Sequence, residues 1–222
     1  MIRSKPLQGY WVRRGSENSQ FMHILCGPND INGAQCPNCE KPLLRLLSLD
    51  ASDPRLETYK CPTQYLPLLF CWTCNIAQEY FFYRIAIDHI EIMHYGIGGV
   101  VTDFPYESYP KEFPQVMVHL EALSQEEQDI ILRLNAGALD SWSIPQKNVA
   151  FSVPTHQLGG EPLGYDGDFY PTCRTCGSRM RFFASIGNTI EETMKLTTDD
   201  YVQTLFFLCR KCWLICASQQ AD

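Results

Sequence analysis

The chain has 222 residues, of which 45% are hydrophobic and 12% aromatic, a composition that is typical of a folded globular protein. Its 18 basic and 25 acidic residues give a formal net charge of −7, which opposes non-specific attraction to nucleic acid or to an anionic membrane. The sequence has no secretory leader behind Met1 and no apolar run of about 18 residues, so we expect a soluble cytoplasmic protein without a membrane partner.

The first hundred residues carry two cysteine pairs joined by an apolar stretch. A strand is predicted around residues 10–12, and the pair Cys36 and Cys39 follows a Gly-Pro turn. A leucine-rich run over 43–49 leads away from this pair, and 31 residues separate Cys39 from the next pair, Cys71 and Cys74. The aromatic and β-branched stretch 78–87 then predicts a long strand.

The middle of the chain has a different texture. Residues 103–114 form a crossing rich in proline and aromatic side chains, which is too apolar for a free linker. Ser124 and Glu127 have the spacing of a capping box, in which the serine accepts from the third helical amide and the glutamate reaches back. Apolar residues recur at helical spacing behind the box, so the sequence predicts one helix over 125–135.

The second half repeats the cysteine pattern of the first. Cys173 and Cys176 precede an apolar run over 180–186, and 32 residues separate Cys176 from Cys209. The corresponding cysteines of the two copies are offset by 137 to 138 positions throughout, and a strand is predicted at 213–218. We interpret this as an internally duplicated, β-dominated α+β protein with two lobes. The lobes span 1–102 and 149–222, and the crossing and the connecting helix occupy 103–148.

The cysteine pairs predict two tetrahedral metal sites. A Cys-x-x-Cys turn points two sulfurs at one ion, and a structural site takes its other two ligands from a second such turn. Zinc is favoured over iron because nothing else in the sequence suggests electron transfer, although four thiolates would accept iron. The interior spacing exceeds the roughly 15–20 residues of the usual zinc-ribbon signature, which allows a hairpin with an insertion but also weakens the match to that signature. The predicted ligands of the two structural zinc ions are Cys36, Cys39, Cys71 and Cys74, and Cys173, Cys176, Cys209 and Cys212.

Other cysteines and the histidines gave weaker signals. A thioredoxin-like role for any one pair needs a βαβ context, which the sequence lacks. Cys26, Cys61 and Cys216 fall outside the repeat and are expected to be small apolar residues, with replacement of a ligand as the alternative. His156 stands beside Gly159 and Gly160, which let a backbone turn sharply or come close to another chain.

The second half resembles the YwqG-like family of uncharacterised bacterial proteins, and more distantly the eukaryotic programmed-cell-death-2 and ribosome-maturation proteins. The resemblance rests on the stretch 156–162, which reads His-Gln-Leu-Gly-Gly-Glu-Pro, on the following cysteine pairs, and on the Phe-rich strand. It implies a β-rich duplicated fold without known catalysis and, in the eukaryotic branch, the holding of a ribosomal protein until assembly. Glu161 departs from the family pattern, as does the absence of a tryptophan after Pro162.

No catalytic constellation is found in the sequence, so we expect a non-catalytic, zinc-stabilised interaction module of client-holding or immunity type. Its expected partner is another protein or an extended basic peptide, docked at a sheet edge or in a cleft. One alternative is a nucleic-acid-binding zinc-ribbon protein, and another is a hydrolase with an unrecognised site. The nucleic-acid alternative requires the basic residues to gather on one surface with aromatic side chains; they are Arg174, Arg179, Arg181, Arg210 and Lys211.

Overall fold

Among the residues that it describes, the computed structural model has eleven strands, one α-helix and one 3-10 helix. It describes residues 8–16, 19–37, 39–59, 61–71, 81–94, 112–139, 156–163, 170–187, 194, 196 and 202–221. The strands are β1 Tyr10–Arg14, β2 His23–Leu25, β3 Leu44–Asp50, β4 Tyr65–Phe70, β5 Phe81–Ile85, β6 Ile90–His94, β7 Val116–Ala122, β8 Gln157–Leu158, β9 Arg181–Ile186, β10 Val202–Cys209 and β11 Leu214–Ala221. Helix α1 spans Gln125–Asn135, and the 3-10 helix spans Pro54–Tyr59.

All eleven strands belong to one antiparallel sheet. Its order is β4-β3-β2-β7-β1-β8-β9-β10-β11-β5-β6, so β4 and β6 are its edges. The sheet curls into a half-barrel, and the Tyr83 hydroxyl of β5 reaches across to the opposite edge strand β4. This hydroxyl accepts from the Leu69 amide of β4 at 2.9 Å and donates to the Pro67 carbonyl at 3.2 Å. Two hydrogen-bonding groups on the outer edge of β4 are thus occupied from within the chain.

The predicted β-dominated class is confirmed, and the sheet joins strands from both halves of the sequence. Strand β5 pairs with β11, with Tyr83 opposite Ile215, although these residues come from different predicted lobes. The main core cluster likewise contains both Leu47 of β3 and Phe206 of β10. The predicted bounds of the lobes, 1–102 and 149–222, and of the segment 103–148 between them stay a prediction.

Strand β10 is buried on both faces. Phe206 and Leu208 lie in the main core cluster, whereas Leu205, Phe207 and Cys209 lie in a second cluster. Since successive side chains of a strand point to opposite faces, the two clusters pack on opposite sides of β10. Because both faces of β10 are buried, the strand requires apolar side chains at successive positions.

Helix α1 confirms the prediction over residues 125–135. The side chain of Ser124 accepts from the Glu127 amide, and the Glu127 carboxylate accepts from the Ser124 amide at 2.7 Å. Glu127 also accepts from the Trp11 indole of β1 at 2.9 Å, which ties the start of the helix to the sheet. No helix of the described part of the chain combines the length and apolarity needed to cross a membrane.

The Gly-Gly turn brings two backbone segments of the chain together. Gly159 and Gly160 have φ of +64° and +72°. A Cβ on Gly159 would stand 2.8 Å from the Gln8 carbonyl oxygen, and one on Gly160 would stand 3.1 Å from the Cα of Gly9. The buried side chain of Gln157 closes the turn by donating to the carbonyl of Glu161 at 2.6 Å. These glycines therefore permit a close approach within the chain.

His156 is fully buried at the start of this turn. Its Nε2 lies 3.1 Å from the carbonyl oxygen of Met194, and its backbone carbonyl accepts from the Val12 amide at 2.9 Å. Burial lowers the pKa of the imidazole to about 4 from its ordinary value. The side chain therefore packs within the fold and is not presented to a partner.

We expect the neutral form of His156 to make folding dependent on pH. The pKa of His156 is lower in the folded protein than in the unfolded chain. The contribution of its neutral form to stability is therefore complete above the unfolded pKa of about 6.5 and declines as the pH falls toward 4. The free energy of unfolding of the wild type should fall by about 2 kcal/mol more between pH 7 and pH 5 than that of His156→Gln. Urea unfolding at pH 7 and at pH 5 measures the free energy of unfolding of both proteins. An equal fall in the wild type and in His156→Gln would contradict the prediction.

Candidate metal centres

The four cysteines predicted for the second site come together in the structure. We call Cys173, Cys176, Cys209 and Cys212 the second centre; their sulfurs all lie within 4.8 Å of one another. The sulfurs of Cys176 and Cys209 are 3.6 Å apart. A tetrahedral zinc site with bonds of about 2.3 Å separates its sulfurs by about 3.8 Å, so the observed spacing fits an ion of this size. This cluster could hold a metal ion.

Three of the four cysteines predicted for the first site also come together. Cys36, Cys39 and Cys71 form what we call the first centre, with all sulfurs within 4.8 Å of one another. The sulfurs of Cys39 and Cys71 are 3.7 Å apart, again close to the tetrahedral spacing. The fourth predicted ligand, Cys74, lies outside the described residues. This cluster too could hold a metal ion.

Matched backbone hydrogen bonds shape the turns at Cys36 and at Cys173. The amide of the first cysteine donates to the carbonyl five residues later, from Cys36 to Lys41 at 2.9 Å and from Cys173 to Ser178 at 2.8 Å. In return, the amide four residues after the first cysteine donates to that cysteine's carbonyl at 2.9 Å in both turns. The same two backbone hydrogen bonds therefore fix the shape of both turns.

A left-handed residue follows the second cysteine of three of the pairs. Glu40 has φ of +60°, Gly177 has +69°, and Trp213 has +51°. The corresponding position after Cys74 lies outside the described residues. Only glycine adopts this conformation without a steric cost, so Glu40 and Trp213 are held there by the turns that contain them.

The matched turns give a test of this strain. Glu40 is exposed, so Glu40→Gly should raise the free energy of unfolding by about 0.5–1 kcal/mol through relief of the left-handed strain. Gly177→Ala is the control of opposite sign: a Cβ there meets nothing within 4 Å, so its cost of about 1 kcal/mol is conformational alone. Thermal unfolding of the zinc-loaded variants measures both, and a stability loss in Glu40→Gly would contradict the prediction.

The thiols of the second centre differ in pKa. Hydrogen bonds from the side chain and backbone of Ser178 lower the pKa of the Cys176 thiol to about 6. Burial and the neighbouring thiols raise the pKa of Cys212 to about 12, and burial also raises the pKa of Cys209. Among these three thiols, that of Cys176 therefore deprotonates most readily. Thiolate is the form that a metal ion binds.

The cysteines outside the repeat do not join either cluster. Cys26 and Cys216 are buried in core clusters, and burial raises the pKa of both thiols. Cys61 is half-buried, and its sulfur lies 3.3 Å from the hydroxyl oxygen of Thr63. All three are placed as small packing residues, as the sequence predicted for them.

Two clefts lie near the centres, and the sequence pointed to only one of them. The basic cleft, of about 550 Å³, brings together four of the five basic residues singled out in the sequence; its lining includes Arg179, Arg181, Arg210, Lys211, Tyr59 and Trp213. The fifth, Arg174, instead lies over the ring of Phe82 at 5.5 Å. The hairpin cleft, of about 660 Å³, lies where the loop before the first centre and strands β3 and β4 face the turn between β5 and β6. No local pattern marked it, because its walls are distant in sequence.

The chain is similar to a bacterial protein without an assigned activity. It is 25% identical over 193 residues to the uncharacterised protein YpfL of Salmonella typhimurium. The match covers 85% of this chain and 39% of YpfL, so the chain spans about two fifths of the length of the curated relative it matches. No protein-family model matches the chain. The similarity supports a place among uncharacterised bacterial proteins.

Proposed function

We propose that the protein is a non-catalytic, cytoplasmic interaction module stabilised by two structural zinc ions, one in each centre. The observation that carries the zinc assignment is the set of four thiols within 4.8 Å of one another in the second centre. A closed set of four sulfurs is the ligand set of structural zinc, whereas catalytic zinc keeps a position open for water. In a reducing cytoplasm such thiols stay available to metal.

We further propose that the two centres arose by duplication and that the chain is YwqG-like. The matched hydrogen bonds around Cys36 and Cys173 support the duplication, because they repeat at the offset found in the sequence. The strands support the duplication too. In each copy, two neighbouring paired strands lead from the first cysteine pair to the second; they are β3 with β4 and β9 with β10. The structural role of the Gly-Gly turn is consistent with a motif that specifies the fold.

The hairpin cleft supports a protein partner of basic character. Asp30 and Asp88 line it, and Ile87 at its rim is 84% exposed. Its one arginine, Arg45, donates to the Cys26 carbonyl at 3.1 Å. Acidic rims around exposed apolar groups suit an extended segment that carries both apolar and basic side chains, and the net charge of −7 favours its approach. We therefore propose a basic peptide segment of another protein as the occupant.

A peptide library displayed on phage tests this proposal. We expect the zinc-loaded 222-residue chain to select peptides rich in Lys and Arg, with affinities that weaken as the salt concentration rises. Asp30→Asn should weaken the binding of a selected peptide about two- to fivefold, as is typical of a charge at an interface rim. Fluorescence anisotropy with the labelled peptide measures both effects.

Asp129→Asn is the matched control, because Asp129 is exposed on helix α1 and is not part of the hairpin cleft. It makes the same change in net charge and should leave the affinity within about twofold. If the selected peptides are acidic, or if Asp30→Asn and Asp129→Asn act alike, the hairpin cleft is not the site. Hydrolysis of the selected peptides would favour a hydrolase instead.

A further inference from the structure

The basic cleft gathers residues that are separated in the sequence. Arg181 is the first residue of β9, and Arg179 lies two residues before it. Arg210 and Lys211 lie in the turn between the predicted ligands Cys209 and Cys212. Tyr59, at the end of the 3-10 helix, and Trp213 supply the aromatic part of the lining. All four cationic side chains are exposed to solvent.

The positive charge of the cleft is not neutralised by carboxylates of the described chain. No ion pair joins Arg179, Arg181, Arg210 or Lys211 to an acidic side chain of the described residues, whereas other arginines do form such pairs. The cleft lining itself contains no aspartate or glutamate. In a chain with a net charge of −7, four cations in one concavity, without an ion pair to any described carboxylate, create a local field of the opposite sign. Two of them lie over aromatic rings, Arg179 over Tyr170 at 4.5 Å and Arg210 over Tyr59.

The neighbouring metal centre accounts for only part of this charge. A zinc ion bound by four thiolates carries about two negative charges, and the basic side chains beside it offset them. Four cations exceed that requirement by about two. The surplus matches the charge of a phosphate ester, which is close to two at neutral pH.

The aromatic lining adds a second element of recognition. Arg210 already lies over the Tyr59 ring at 5.7 Å, and Tyr59 packs edge-on against Phe183 at 5.0 Å, so the tyrosine is held in place. Trp213 is half-buried, and no ring or cation of the described residues stacks on it. A planar base can stack on such an indole. The volume of 550 Å³ lies within the roughly 300–1,000 Å³ of small-molecule sites.

We propose that the basic cleft binds a nucleotide, with its phosphate on Arg179, Arg181 and the Arg210–Lys211 turn and its base against Trp213. This goes beyond the proposed protein-interaction function, because it concerns a different cleft and a ligand of opposite charge. The nucleotide is either free, with a terminal phosphate of about two negative charges, or part of a single strand, whose phosphodiesters carry about one charge each; both sources present phosphate oxygens and a base. The two clefts can be tested independently.

Fluorescence anisotropy of the zinc-loaded protein tests this site. The probes are a fluorescent analogue of adenosine diphosphate and a short labelled oligothymidylate, with inorganic phosphate and adenosine as competitors. We expect at least one probe to bind, with unlabelled adenosine diphosphate as the strongest competitor, inorganic phosphate weaker and adenosine the weakest. Binding of the free nucleotide alone, or of the strand as well, identifies the source.

Arg181→Gln should weaken probe binding about tenfold, which corresponds to about 1.4 kcal/mol, and Lys211→Gln should weaken it in the same direction. Arg133→Gln makes the same charge change on helix α1 and should leave binding within about twofold. The proposal is overturned if neither probe binds, or if Arg181→Gln and Arg133→Gln act alike. It is also overturned if Arg181→Gln lowers the zinc content without changing probe binding, because the arginine would then serve the metal centre alone.

Discussion

Replacement of Cys209 by serine should release one of two zinc ions and unfold the part of the sheet around the second centre. Cys209 ends β10, and its side chain packs in the second core cluster with Phe207 and Leu214. A structural zinc site contributes an apparent binding free energy of about 10–16 kcal/mol, which is comparable to the whole stability of a domain, about 5–15 kcal/mol. Losing the ion therefore removes a free energy of the same order as the stability of the fold around it.

Elemental analysis and circular dichroism measure the two parts of this prediction. The wild type should contain two zinc ions per chain, and Cys209→Ser one or none, with a loss of strand signal. Cys61→Ser is the control: that cysteine is half-buried and lies outside both centres, so the variant should keep both ions. A Cys209→Ser protein that retains two ions would show that the ligands were chosen wrongly.

The features that the sequence predicted well are those fixed by local geometry. Cys173 and Cys176 converge because a tight turn places two sulfurs on one side, whatever surrounds it. Helix α1 begins at the predicted residue because Ser124 and Glu127 satisfy each other's backbone amides within one turn. Residues 78–80 of the strand predicted over 78–87 lie outside the described part of the chain; among the described residues the strand covers Phe81–Ile85 and ends two residues earlier than predicted.

The features that the sequence did not predict depend on pairing between distant segments. The apolar pattern of β5 is compatible with pairing to any apolar strand. Nothing in that pattern predicts that β5 pairs with β11 rather than with β4. Similarly, β8, near the predicted start of the second lobe, pairs with β1 of the first predicted lobe as well as with β9 of the second. Both clefts form where such distant pairings bring loops together. The sequence named the basic residues of one cleft, but the aromatic wall of that cleft and the whole of the hairpin cleft could be found only in the structure.

One of these distant contacts should be highly sensitive to substitution. Gly33, in the loop before the first centre, has φ of +76°, and a Cβ there would stand 2.2 Å from the backbone oxygen of Ile90. Asn32, which precedes Gly33, accepts a hydrogen bond at its carbonyl from the Ile90 amide at 2.8 Å. We expect Gly33→Ala to lower the free energy of unfolding by about 3–5 kcal/mol, because strain, steric overlap and the loss of this hydrogen bond add together.

Gly137→Ala separates the steric contact from the backbone conformation. Gly137 has φ of +62°, close to that of Gly33, but a Cβ there meets nothing within 4 Å. Its cost should therefore be the conformational strain alone, about 1–2 kcal/mol. Urea unfolding compares the two variants, and hydrogen exchange of the Ile90 amide should be faster in Gly33→Ala only. Because Asn32 and Ile90 both line the hairpin cleft, Gly33→Ala should also weaken peptide binding there. Equal stability losses in the two variants would mean that the loop before the first centre does not rest on β6 in solution.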